Sequence, residues 1–141
     1  MWYSIDTTVK HLIKKEVKME TKTIKVWVGR KGARNGYDNS DYEIIEIVGQ
    51  ELGYWRDTDD PVWNNRGTDF RVFRTEEGTI LIHRTDWSRW ENEDTLATIL
   101  EFASLEDAAK NGWRRVLENA GVISRRVRSL REWRRERQQA E

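Results

Sequence analysis

Residues 53–65 read GYWRDTDDPVWNN, which sets Tyr54, Trp55 and Trp63 around Arg56, Asp57, Asp59 and Asp60. Aromatic rings beside carboxylates can stack a flat or cationic ligand, or anchor an interface with a charged rim. Asp57, Asp59 and Asp60 also have a spacing that suits a hard cation. The stretch lacks the glycine and the closing glutamate of the helix–loop–helix calcium loop, so no metal ligand is assigned. The alternative is structural: Trp55 and Trp63 fold back over a sheet while the aspartates turn the chain around Pro61. Read between two strands, this stretch is a long insertion and a binding edge rather than a catalytic centre.

A second cluster, HRTDWSRWENED, runs over residues 83–94. Strand alternation puts His83, Thr85 and Trp87 on one face and Arg84 and Asp86 on the other. A histidine near carboxylates is the minimum for general acid–base chemistry, so a small hydrolase built on His83 is one reading. Little else supports catalysis. Cysteine is absent, which removes thiol nucleophiles, thiolate metal sites and disulfides. The zinc-protease, serine-hydrolase and nucleotide-binding motifs HExxH, GxSxG and the Walker glycine loop are missing. After Lys31 the next lysine is Lys110, so a carboxylate-and-lysine nuclease site lacks its third group. No catalytic residue and no cofactor is assigned.

Basic residues form the third constellation. GRKGARNG carries Arg30, Lys31 and Arg34, but it joins two strands instead of opening a helix, so the helix dipole adds nothing for phosphate. The tail SRRVRSLREWRRERQQAE carries Arg125, Arg126, Arg128, Arg131, Arg134 and Arg135 around Trp133. Arginine pairs bidentately with phosphate or carboxylate, and Trp133 can stack a base. Otherwise the tail is a solvated helix with Glu132 and Glu136 paired along it, or a clamp on the acidic part of its own chain.

The 141 residues carry no net charge, yet the charges are segregated. Residues 1–40 sum to +5, residues 41–107 to −11, residues 108–123 to +2 and residues 124–141 to +4. An acidic body repels nucleic acid, which ranks a protein partner first and nucleic acid second. The first reading is thus a non-enzymatic protein-binding or inhibitory module using Tyr54, Trp55, Arg56, Asp57, Trp63, Trp87 and Trp90. Trp, Tyr and Arg are the residue types enriched at interface hot spots. The chain has no apolar run of bilayer length, and MWYSIDTTVKHLIKKE lacks a secretory pattern, so no membrane is expected and the expected compartment is the cytosol.

The elements that must position these residues read as an α+β domain over residues 19–123. Apolar residues are scarce, but eight Trp, four Tyr and three Phe supply buried area and argue against disorder. Residues 1–18 read as an appendage with a short amphipathic helix. Strand patterns cover 24–28, 42–48, 69–75, 79–84 and 95–102, with Gly78 closing a hairpin. The pair Ile44–Ile45 suggests burial on both faces. Leu105, Ala108, Ala109, Trp113, Val116, Leu117 and Ala120 then form one helical stripe, capped by Ser104 with Asp107 at its start and by Gly121 at its end. The expected architecture is an antiparallel meander of about five strands with this helix on one face. Ile123, Val127 and Leu130 extend the helical spacing into an Arg-rich helical tail over 124–141. A sheet face left bare would suit a homodimer or a loop cover.

Overall fold

The computed structural model describes residues 21–33, 40–58, 65–90 and 93–140; the expected appendage at 1–18 lies outside them. Five strands follow in order: β1 (Lys22–Lys31), β2 (Asp41–Thr58), β3 (Arg66–Thr75), β4 (Ile80–Ser88) and β5 (Thr95–Phe102). Each pairs antiparallel with the next, and β5 returns to β1 to close a barrel. The expected meander is therefore a closed one. In a flat five-stranded meander the first and last strands run parallel. Here Arg30 and Lys31 pair antiparallel with Leu96 and Thr95, so the sheet turns over as it closes.

The 18-residue β2 makes this possible. Its first half pairs with β1 and its second half with β3, and Gly49 at the corner pairs with both Lys22 and Thr75. A Cβ on Gly49 would overlap the Arg74 carbonyl, so the corner needs glycine. The supposed insertion at 53–65 is thereby corrected: residues 53–58 are strand, paired with β3 from Val72 to Gly67. Sequence reading missed this because Gly53, Arg56 and Asp57 are poor strand formers, and the ladder with β3 overrides that propensity.

Alternation along β3 and β4 builds two apolar clusters. Val26, Ile47, Phe73 and Leu81 fill the barrel interior with Ile24, Ile45 and Ile99 around them. On the outer face, Phe70, Val72, Ile80 and Ile82 meet the helical segment. The residues buried on both faces are thus Ile80–His83 of β4. Ile44 is 55 % exposed, which corrects the expectation for Ile44–Ile45. The β3–β4 hairpin turns through Glu76, Glu77 and Gly78, whose φ of 90° fits the left-handed position of a three-residue loop.

The expected single helix is two short ones, α1 (Leu105–Ala108) and α2 (Arg114–Asn119), joined by a wide turn over Ala109–Trp113. Asn111 and Gly112 leave helical geometry there, Gly112 with φ of 95°. The stripe survives the kink: all seven of its residues pack in the outer cluster. Ser104 Oγ accepts the Asp107 N–H at 3.0 Å, as a cap should, while Asp107 accepts from Ala103 rather than from Ser104. At the other end the Gly121 N–H donates to Glu118 and the Val122 N–H to Leu117, the double bond pattern that closes a helix at a left-handed glycine.

Beyond it the chain leaves helical geometry until α3 (Leu130–Ala140). Val127, expected to continue the stripe, is 93 % exposed. Gly121 has already turned the chain off the helix axis, so the spacing no longer refers to one face.

Candidate functional site

Residues 54–57 were expected to act together; strand geometry separates them. Trp55 points to the outer cluster and stacks on Phe70 with ring centroids 5.4 Å apart. Arg56 points the other way and binds Asp69 bidentately at 2.8 and 3.0 Å. That hydrogen bond holds the guanidinium protonated even more firmly than usual. Trp87 Nε1 donates to the same carboxylate at 2.9 Å, and its ring lies 4.9 Å beneath Arg56. Gly67 opposite leaves room for this indole: a Cβ there would lie 2.6 Å from Trp87 Cζ2. Asp57 pairs with Thr68 on the ladder and is exposed. Trp90 is exposed, with its N–H donated to Ser88 Oγ. Trp63, Asp59 and Asp60 lie outside the described residues.

The face of β3 that carries Asp69 also carries Arg71 and then Phe73 of the barrel interior. Arg71 binds Glu51 bidentately at 2.9 and 3.0 Å, and this pairing raises its pKa. Arg66 binds Glu93 in the same way, which lowers the Glu93 pKa, and Arg84 binds Asp86. Four arginines of the acidic middle are therefore satisfied by its own carboxylates.

His83 is 4 % exposed. Its Nε2 lies 2.7 Å from the Trp27 carbonyl oxygen, which can only accept, so Nε2 carries the proton and Nδ1 is the bare nitrogen. Nδ1 is buried and has no hydrogen-bond partner among the described residues. Burial first, and the Arg71 charge after it, lower the ring's pKa, against the hydrogen bond to Trp27. Among the described residues no carboxylate forms a hydrogen bond or ion pair with the ring, and Asp59 and Asp60, the loop carboxylates of the hydrolase reading, lie outside them. The ring instead ties β4 across the barrel to β1.

The basic residues also separate. Arg30 faces Asp94 at 3.9 Å, and Arg34 lies outside the described residues. Lys31 Nζ sits 4.4 Å from the Trp27 ring and 5.4 Å from that of Tyr42, two aromatics in edge contact that sequence reading left unassigned. Their β1 and β2 positions alternate with core residues, which was the available signal. In the tail, Arg128 pairs with Glu136, and Arg137 lies 4.8 Å over Trp133, itself 41 % exposed. Arg125, Arg126, Arg131, Arg134 and Arg135 are exposed.

Arg125 meets four residues absent from the sequence-based candidates. With Arg114, Arg115, Glu118 and Asn119 it lines an open cleft of about 400 Å³ along the side of α2. Arg115 lies 5.6 Å over the Trp55 ring, and Arg125 donates to Asn119 Oδ1 at 3.1 Å. The doublet Arg114–Arg115 falls between the stripe residues Trp113 and Val116 and so had to face outward. Among the described residues, no carboxylate forms an ion pair with Arg114, Arg115 or Arg125.

No group of three or more His, Asp or Glu that could hold a metal occurs among the described residues, and no helix among them is long and apolar enough to cross a membrane. No protein-family model, curated protein or solved structure matches this chain.

Proposed function

We propose that the protein is a non-enzymatic binding module whose arginine-rich C-terminal region engages the phosphate backbone of a nucleic acid. The observation that carries this reading is the contrast between two sets of arginines. Arg56, Arg66, Arg71 and Arg84 hold carboxylates, whereas Arg114, Arg115 and Arg125 hold none among the described residues and lead into the exposed arginines of α3. From residue 114 to residue 137 there are nine arginines against three glutamates. Such a surface releases counterions when phosphates replace them. The order of the two sequence-based readings is reversed here because Trp55, the leading aromatic anchor of the protein-binding reading, packs on Phe70 and the helices. The test is fluorescence anisotropy of labelled single- and double-stranded DNA and RNA with the full chain over a salt series. Saturable binding that weakens steeply with salt is expected. Absence of binding at low salt to all four probes would reject the reading.

A protein partner remains as the second reading, favoured by one observation. On the outer face of β1 and β2, Tyr42 (47 % exposed), Ile44 and Val48 lie uncovered beside Trp27. Exposed aliphatic groups gain nothing from phosphate but do gain from an apolar protein surface. Binding that persists in high salt and is lost on Ile44→Lys would belong to this face.

A further inference from the structure

We infer that the cleft lined by Arg114, Arg115 and Arg125 is a seat for a phosphate group. The inference deepens the nucleic-acid reading and rests on it only for the source of the phosphate. Guanidinium groups present planar pairs of N–H donors that match phosphate oxygens, and three of them surround one space here. The space is also partly organised before any ligand arrives. Arg115 is braced on Trp55, which is itself fixed against Phe70, and Arg125 is held by Asn119. Bracing reduces the side-chain entropy that binding must remove.

The local backbone explains why Arg125 reaches this place. The left-handed Gly121 and the bonds from Val122 and Ile123 to the Leu117 carbonyl turn the chain back along α2. Arg125 then lies within hydrogen-bond reach of Asn119, six residues earlier. Glu118 is the one carboxylate of the cleft, against three guanidinium groups. The C-terminal dipole of α2 opposes an anion, but a one-and-a-half-turn helix contributes less than a charge-assisted hydrogen bond does. The cleft is larger than a phosphate alone requires, which leaves room for an attached sugar or the next residue of a strand.

The experiment is a titration of the uniformly labelled full chain with inorganic phosphate, followed by amide ¹H–¹⁵N spectra, with sodium chloride at matched ionic strength as the control. Saturable shifts are expected at residues 114–119 and 125, with affinity reduced about tenfold in Arg114→Gln and Arg125→Gln, the size of one lost charged hydrogen bond. The same spectra report whether each variant is folded. Arg66→Gln, on β3, whose guanidinium is committed to Glu93, leaves these shifts unchanged. Equal shifts with chloride, or shifts untouched by Arg114→Gln and Arg125→Gln, overturn the seat.

Oligonucleotides with a 5′-phosphate or a 5′-hydroxyl separate the sources. An Arg114→Gln loss confined to the phosphorylated strand supports a terminal phosphate, and an equal loss on both supports a backbone phosphate. Inorganic phosphate binding with no oligonucleotide binding supports the seat for a small phosphorylated ligand and rejects the nucleic-acid reading alone.

Discussion

Gly53 of β2 and Ala120 at the end of α2 meet backbone to backbone. A Cβ on Gly53 would overlap the Ala120 carbonyl oxygen and lie 2.8 Å from Val122 Cγ2. The register of β2 against β3 slips between Glu51 and Gly53, and this bulge brings the strand under the helix end. Gly53→Ala is therefore expected to destabilise the fold by about 1–3 kcal/mol through overpacking. Urea unfolding followed by far-UV circular dichroism measures it. A midpoint equal to wild type would show that the helix end is not seated on β2.

Trp55 acts as core here, and its substitution should read as a stability loss. Trp55→Ala removes the stack on Phe70 and the support under Arg115, and should cost about 3 kcal/mol. Trp55→Phe should recover most of that stability. If Trp55→Ala left the unfolding midpoint unchanged, the ring would not be packed as described.

His83 makes stability depend on pH. Its folded pKa is lowered from the ordinary 6.5, so below pH 6.5 the unfolded chain binds a proton that the folded chain refuses. Stability from the neutral ring is complete above pH 6.5 and is lost as pH falls toward the folded pKa. Unfolding free energies at pH 7.5, 6.5 and 5.5 should decline in that order. His83→Gln, which keeps a donor for the Trp27 carbonyl, should flatten the decline over this window. Glu93, also lowered, acts only further down, below its ordinary 4.5.

Gly112 stands at φ of 95° with open space where a Cβ would be. Gly112→Ala meets no neighbour, so its cost is conformational, about 1–2 kcal/mol. Asn, which tolerates the left-handed region better, should cost less than Ala at this position. Thermal midpoints of the three proteins test the ranking.

For nucleic-acid binding, the slope of log K against log salt counts the phosphates neutralised. Each of Arg126→Gln, Arg131→Gln and Arg134→Gln that removes a phosphate contact should reduce that slope by about 0.7–0.9. Arg71→Gln should leave the slope unchanged, because Arg71 is committed to Glu51. Equal slopes in all four variants would exclude backbone contacts by the tail.

Local pattern by itself determined some of the elements. The alternation in β5 and β3, the Gly78 hairpin, the Ser104 and Gly121 caps and the whole apolar stripe from Leu105 to Ala120 were legible because each depends on neighbours within a few residues. The Arg-rich tail was legible as charge for the same reason. Tertiary structure alone decided the rest. Whether β5 closes on β1 depends on the turn of the whole sheet, which no window of sequence contains. That Tyr54, Trp55 and Arg56 part to opposite faces follows from their being paired strand rather than loop, and that pairing is made with residues 69–71, far along the chain. The cleft joins Arg114 and Arg115 to Arg125 only because a left-handed turn at Gly121 folds the chain back. Side-chain type supplied the chemistry, and long-range pairing chose which of those groups stand together.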